Sequence, residues 1–380
     1  GDIKISLDYI PYLANEFMPY IISFLGLTKK CIVVDLDNTL WGGIVGEDGF
    51  DGIHLGPQPP GNAFVEFQKY LKALSQRGIL LAINSKNNFD DAIQVIREHP
   101  FMILKESDFS CIKINWNNKA SNMQEISKEL NIGLDSFVFF DDDPINRELI
   151  RESMPEITTP ELPHDPSFYS EVIQSLHDFS TFQITSEDTN RGQMYLEQKQ
   201  RTESQNSTSD ISEFLKKLNL EIEIKKTNSF TIPRISQLTL KTNQFNLTTK
   251  RYHEDQIKKF SEDKNILIGC AQIRDKFGDN GITGVFIVEK TNYDEWFLDT
   301  FLLSCRVMGR EAEKAILYFI INEAKNNNIK RLKAKFIPTE KNKPIENFLP
   351  DCQFYKKDGI WIYNLDKPFN MPDFLTLSEE

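Results

Sequence analysis

The chain has 380 residues and a formal net charge of −12, with 56 Asp plus Glu against 44 Lys plus Arg. Its length exceeds one typical domain and suits two, and 40% hydrophobic content can fill both cores. The acidic balance argues against broad nucleic-acid binding, no stretch approaches a membrane span, and the start lacks a signal-peptide pattern. Five scattered cysteines, Cys31, Cys111, Cys270, Cys305 and Cys352, suit reduced thiols in a cytoplasmic protein.

In chain order, residues 1–29 predict a leading helix, with apolar residues at helical spacing from Leu7 to Phe24. A first domain follows over 30–160, and a polar helical connector over 161–218, in which Asp210 is placed to cap a helix. From 219 to 366 the pattern changes to strands at Leu220–Ile224, Ile266–Ile273, Gly284–Lys290 and Glu295–Leu303. A long amphipathic helix from Glu311 to about Asn326 comes next. A strand at Lys333–Ile337, a short helix near Ile345 and a last strand at Gly359–Asn364 complete it. Residues 367–380 read as a tail. The fold class is thus α/β for the first domain and α+β for the second.

The first domain carries its chemistry at strand ends. In Cys31–Gly43 four apolar residues lead directly into Asp35-Leu-Asp37-Asn-Thr39. The apolar run does not alternate, so it reads as a strand buried on both faces. Its carboxyl end is where open α/β sheets place ligands. Two carboxylates two residues apart can be aimed separately. One can attack while the other handles a proton, and both suit a hard divalent cation.

Gly78–Asn84 is a second apolar strand, with the Ser85 hydroxyl at its end. Lys119 opens a helical stretch. Ser136–Phe140 is another apolar strand, ending in Asp141-Asp142-Asp143 and Pro144. Singly these have plainer readings: a turn residue, a solvated helix start, a helix cap. Together they supply a nucleophile, a cation, a hydroxyl donor and metal ligands for phosphoryl transfer.

Asp35-x-Asp37-x-Thr39, Ser85, Lys119 and Asp141-Asp142 resemble the four motifs of the haloacid dehalogenase superfamily. That resemblance implies a doubly wound parallel sheet, Mg2+ and an aspartyl-phosphate intermediate. It implies Asp35 as nucleophile and Asp37 as general acid/base, with Thr39, Ser85 and Lys119 on the phosphoryl group. Asp35, the Asp37 carbonyl and Asp141 would bind the metal, with Asp142 close by. The short gaps from Thr39 to Ser85 and from Ser85 to Lys119 leave no room for a large cap domain.

A second chemical centre lies at Ser304-Cys305-Arg306-Val-Met-Gly309-Arg310-Glu311, between a strand and the long helix. Backbone N–H groups at such a turn can bind phosphate. The arrangement resembles the acyl-CoA loop of the GNAT acyltransferase fold, except that Glu311 sits where that loop wants a small residue. Cys305, beside Arg306 and Arg310 and before a helix N-terminus, is either an activated thiolate or a buried small hydrophobe. Asn243-Gln244-Phe-Asn246 concentrates amides in one segment. The run from Arg274 to Gly281 is a polar turn between two apolar strands, a hairpin turn by its Asn280-Gly281 signal, in which Asp279 could act as a base and Asn280 as an acyl-oxygen donor.

The segments DLDNTLWGGIVGEDG, TNQFNLTTKRY, DKFGDNGITGV, SCRVMGRE and IPTEKN together resemble the FkbH-like glyceryl transferase/phosphatases of polyketide biosynthesis. The resemblance runs from about residue 5 to about residue 365. It implies that 1,3-bisphosphoglycerate acylates Cys305 and that the remaining phosphate is removed. A three-carbon unit, D-glyceryl or D-lactyl, then passes to the phosphopantetheine of an acyl carrier protein. The chain would be free-standing or part of a larger polyketide synthase. Two alternatives stand beside it: a Mg-dependent phosphatase fused to a CoA-dependent N-acetyltransferase, and a non-enzymatic carrier-protein docking scaffold.

Overall fold

The computed structural model describes residues 5–181, 184–206 and 210–380. The chain divides into two compact units, Gly1–Leu196 and Glu197–Glu380. Among the described residues no helix is long and apolar enough to cross a membrane.

The first unit opens with α1 (Ile10–Phe24), shorter than the expected helix because Gly26 takes a positive φ of 67° just past its end. Residues 1–4 of that expected helix lie outside the described residues. The α/β body comprises β1 (Cys31–Val34), α2 (Gly61–Gln76), β2 (Leu80–Ser85), α3 (Phe89–Glu98) and β3 (Phe109–Ile114). It is completed by α4 (Lys119–Leu130), β4 (Phe137–Phe140), α5 (Pro144–Ser153) and α6 (Tyr169–Ser175). The four strands are parallel, in the order β3-β2-β1-β4.

Alternate residues of each central strand enter different cores. Ile32, Val34, Leu81, Ile83, Val138 and Phe140 pack on one face with Phe64 and Phe67 of α2, Ile93 and Ile96 of α3, and Tyr169 of α6. Cys31, Val33, Leu80, Ala82, Phe137 and Phe139 pack on the other with Met123 and Ile126 of α4 and Ile150 of α5. Helices therefore cover both faces, which makes the sheet doubly wound and explains why its strands do not alternate. From β1 the chain steps outward to β2 and β3, then returns to β4 on the other side of β1. That reversal is a topological switch point, and the carboxyl ends of β1 and β4 lie side by side there.

The second unit contains α7 (Ile211–Lys217), capped by Asp210, whose side chain accepts the Ser212 N–H. Next come β5 (Leu220–Lys226), α8 (Ile232–Lys241), β6 (Phe245–Asn246), α9 (Glu254–Glu262), β7 (Ile266–Asp275), β8 (Gly278–Glu289) and β9 (Glu295–Leu303). The unit ends with α10 (Ala312–Asn326), β10 (Arg331–Ala334), β11 (Tyr355–Lys357), β12 (Ile360–Asn364) and β13 (Leu375–Glu379). The mixed sheet has the order β11-β12-β10-β9-β8-β7-β5-β13, with β6 paired to β9.

α10 packs Ala315, Ile316 and Ile320 on one sheet face. α8 and α9 pack Ile235, Leu238 and Ile257 on the other. The last residues, expected as a tail, form β13 parallel to β5. The segment expected as a strand at Lys333–Ile337 instead pairs over Arg331–Ala334.

The hairpin turn falls within the expected run from Arg274 to Gly281, but not at Asn280-Gly281. β7 runs to Asp275 and β8 begins at Gly278, so Lys276-Phe277 makes the turn. Asn280 and Gly281 then sit opposite the single residue Ile273, where the register shifts. This is a β-bulge, and Gly281 takes a positive φ of 67° within it.

Candidate active site

β1 ends at Val34, and the chain leaves the sheet through a tight loop. The N–H groups of Thr39 and Leu40 return to the Leu36 carbonyl. Asn38 adopts a positive φ of 54°, a backbone state that Asn tolerates better than most residues. Its Oδ1 accepts the Gly43 N–H at 2.8 Å. The loop places Asp35 and Asp37 at the carboxyl edge of the sheet.

Lys119, the first residue of α4, is 1% exposed. Its Nζ lies 2.9 Å from Asp35 Oδ1 and 2.5 Å from Asp141 Oδ2. A chain of amides sets this position. Asn84 Nδ2 donates to the Lys119 carbonyl at 2.9 Å, and Asn122 Nδ2 donates to Asn84 Oδ1 and Asn115 Oδ1, both at 3.0 Å. Ser85, buried, ends β2 beside Asn84.

Asp141 follows β4 and is fully buried. The Asp142 N–H donates to Thr39 Oγ1 at 3.2 Å, joining the loops after β1 and β4. Arg147, one helical turn further on, donates from Nη1 to the carbonyls of Asp141 at 2.8 Å and Asp142 at 2.7 Å. The structure thus brings together Asp35, Thr39, Lys119, Asp141 and Asp142.

Burial raises the Asp142 carboxyl to about 7, with the charges of Asp35 and Asp141 adding to it. Burial and the Asp35 charge raise Asp141 to about 6, although Lys119 opposes the shift. Burial works against the Lys119 ammonium, yet Asp35 and Asp141 outweigh it and hold its pKa above the usual lysine value. Three carboxylates and one ammonium leave the cluster short of positive charge.

Asp35, Asp141 and Asp142 each offer an oxygen within 4.8 Å of the others. Asp35 Oδ1 is buried, with the Lys119 ammonium 2.9 Å away and no further donor among the described residues. Three hard oxygen donors and an excess of negative charge fit a hard divalent cation. The Asp37 carboxyl lies outside that cluster. It accepts from Trp41 Nε1 at 2.8 Å, the Val45 N–H at 3.0 Å and Asn87 Nδ2 at 2.7 Å. Burial raises its pKa, and these three donors pull it back.

Trp41, Asn84, Asn87, Asn122 and Arg147 escaped the sequence reading. Arg147 carried a usable signal, standing four residues after the Asp141–Asp143 run at the start of a helix. The amides carried none, because Asn in a polar segment more often caps or turns.

In the second unit Cys305 is partly exposed, in a 3-10 turn between β9 and α10. Arg306, buried, directs Nε to Ser304 Oγ at 3.4 Å. Arg310 donates to Asp275 at 3.0 Å, and Arg201 meets the same carboxylate through two bonds of 2.7 and 2.9 Å. Asp275 so anchors the Cys305–Arg310 segment to the β7–β8 hairpin. Glu311 sits at a positive φ of 61° directly before α10.

The other expected residues are engaged in local structure. Asp279 accepts from Gln272 Nε2 at 2.5 Å and from the Gly281 N–H at 2.7 Å. Asn280 is buried and donates to the Ile273 carbonyl at 3.3 Å. Asn246 donates to the Thr242 carbonyl at 3.2 Å, while its Oδ1 accepts the Thr248 and Thr249 N–H groups at 3.3 and 2.9 Å. Asn243 accepts from Arg251. Gln244 Oε1 is buried without a hydrogen-bond partner.

No protein-family model and no curated protein matches the chain. Among solved structures, it is similar to the N-terminal part of a Bacteroides fragilis protein that contains a phosphatase domain and was complexed with Mg. Identity is 44% over 47% of this chain and 48% of that one, at a TM-score of 0.45. The likeness therefore spans about half the length of that protein's structure. Fainter likenesses, both at a TM-score of 0.30, involve two acetyltransferases. One is the ribosomal-protein alanine N-acetyltransferase of Escherichia coli, 12% identical over 39% of this chain and 96% of that one. The other is a spermidine N-acetyltransferase of Vibrio cholerae, 9% identical over 38% and 95%.

Proposed function

We propose that the first unit is a Mg2+-dependent phosphatase working through an aspartyl-phosphate on Asp35. The observation that carries this is the meeting of Asp35, Lys119, Asp141 and Asp142 at the switch point. The 44% identity to a phosphatase-domain protein complexed with Mg supports it. Asp35, the Asp37 carbonyl, Asp141 and Asp142 would hold the cation, which would neutralise phosphoryl oxygens.

Asp35 gives an electron pair to phosphorus, and the ester oxygen leaves with the pair of its broken P–O bond. Asp37 supplies that oxygen's proton. Water then attacks the same phosphorus, gives its proton to Asp37, and releases Asp35 as carboxylate with inorganic phosphate. Lys119, Ser85 and Thr39 hold the phosphoryl group.

The second unit would then be an acyltransferase of the FkbH-like kind. Cys305 Sγ attacks the carbonyl carbon of 1,3-bisphosphoglycerate, and inorganic phosphate leaves with the pair of the broken C–O bond. The first unit removes the 3-phosphate, and the glyceryl group passes to the thiol of an acyl carrier protein. Asp279, Asn280, Arg306, Asn243, Gln244 and Asn246 shape that second site, Asn246 and Asn280 as internal ties.

The phosphatase half is tested by phosphate release with Mg2+. Wild-type protein should turn over a small phosphate monoester, and Asp35→Asn should lose at least about 10³-fold in rate. Equal turnover by the variant would rule out Asp35 as nucleophile.

A further inference from the structure

We infer that Trp41 and Asn87 are positioning residues that fix the Asp37 carboxyl so that Oδ2 is the oxygen that exchanges the proton. This rests on the phosphatase reading and specifies how its acid/base is aimed.

The asymmetry of the donors carries the inference. Oδ1 of Asp37 receives two, Trp41 Nε1 at 2.8 Å and the Val45 N–H at 3.0 Å. A carboxylate oxygen offers two in-plane lone pairs, so Oδ1 is filled. Oδ2 receives one donor, Asn87 Nδ2 at 2.7 Å, and keeps a lone pair for a proton. The donors themselves are rigid. Trp41 is fully buried in the core against β1, and Asn87 is 4% exposed. Asn87 Oδ1 accepts the Asn88 N–H at 3.1 Å, which settles the amide with its NH2 toward Asp37. A carboxyl held on both oxygens cannot rotate away from its aim, and a catalytic group loses rate steeply when misplaced by about 1 Å.

The readout is leaving-group dependence. An alkoxide needs a proton as its P–O bond breaks, whereas nitrophenolate leaves without one. Trp41→Phe keeps a ring in the core and removes the N–H. Asn87→Leu keeps the bulk and removes the amide. Each is assayed with Mg2+ on glycerol 1-phosphate and on p-nitrophenyl phosphate, and only the ratio of the two kcat/KM values is read, so a smaller folded fraction cancels. That ratio should fall by about 10-fold or more in either variant relative to wild type. Equal losses on both esters in both variants would overturn the positioning role. Wild-type protein inactive on both esters would instead overturn the phosphatase reading beneath it.

Discussion

Asp142, raised to about 7, and Asp141, raised to about 6, bind protons more tightly in the folded chain than at the ordinary aspartate value of 3.8. Their contribution to stability is in place below about pH 4 and is lost as pH rises through about 6 and 7. Chelator-treated protein should therefore melt at progressively lower temperature from about pH 4 to about pH 7. Millimolar Mg2+ should restore the melting temperature most at the alkaline end, because a cation bound only by the folded state stabilises it by mass action. Thermal scans at several pH values check this, and a Mg2+ response independent of pH would contradict it. At this scale the sequence was readable where a charged side chain follows a buried strand: Asp35, Lys119 and Asp141 meet in space. Asn280 and Asn246 were harder to read, because an amide looks the same whether it faces a ligand or its own backbone. Here both amides are engaged with the backbone.

The elements owe their legibility to burial. Strands covered on both faces wrote themselves as unbroken apolar runs, so β1, β2 and β4 were evident. The bulge at Asn280-Gly281 was not, because Asn-Gly favours a positive φ equally in a turn and in a bulge, and only pairing across β7 decides between them. β13 was missed because a short edge strand alternates weakly and gains its stability from β5. The turn from β4 into α5 depends on Arg147, whose guanidinium links the Asp141 and Asp142 carbonyls to Glu161. Arg147→Lys cannot reproduce that fork. It should cost about 1–3 kcal/mol in denaturant unfolding and weaken Mg2+ affinity by roughly 10–100-fold. Unchanged Mg2+ affinity, read by calorimetry, would show that the turn holds its ligands without the arginine.

At the scale of the whole chain, each of the two units presents a candidate site. One gathers carboxylates and a lysine at the end of a parallel sheet, a set suited to phosphoryl transfer. The other presents a partly exposed thiol on a turn that Arg310 ties to the neighbouring hairpin through Asp275, a carboxylate that Arg201 also binds. On the proposed function, a substrate bearing both an acyl phosphate and a phosphate ester would use both. On that same proposal, its acyl group would travel on a tether, first Cys305 and then a carrier thiol. With a net charge of −12, the proposed docking of an acidic carrier would fall to local basic residues such as Lys330, Arg331 and Lys333. Lys330, Arg331 and Lys333 each pair with Asp294 or Glu295, so their charge is partly spent within the chain.

The most direct measurement is intact-protein mass spectrometry with peptide mapping after incubation with 1,3-bisphosphoglycerate and Mg2+. The expected result is a phosphoglyceryl or glyceryl adduct on Cys305, absent in Cys305→Ala and discharged when a carrier protein bearing phosphopantetheine is added. A Cys305→Ala variant that loads the carrier as fast as wild type would contradict the thioester route.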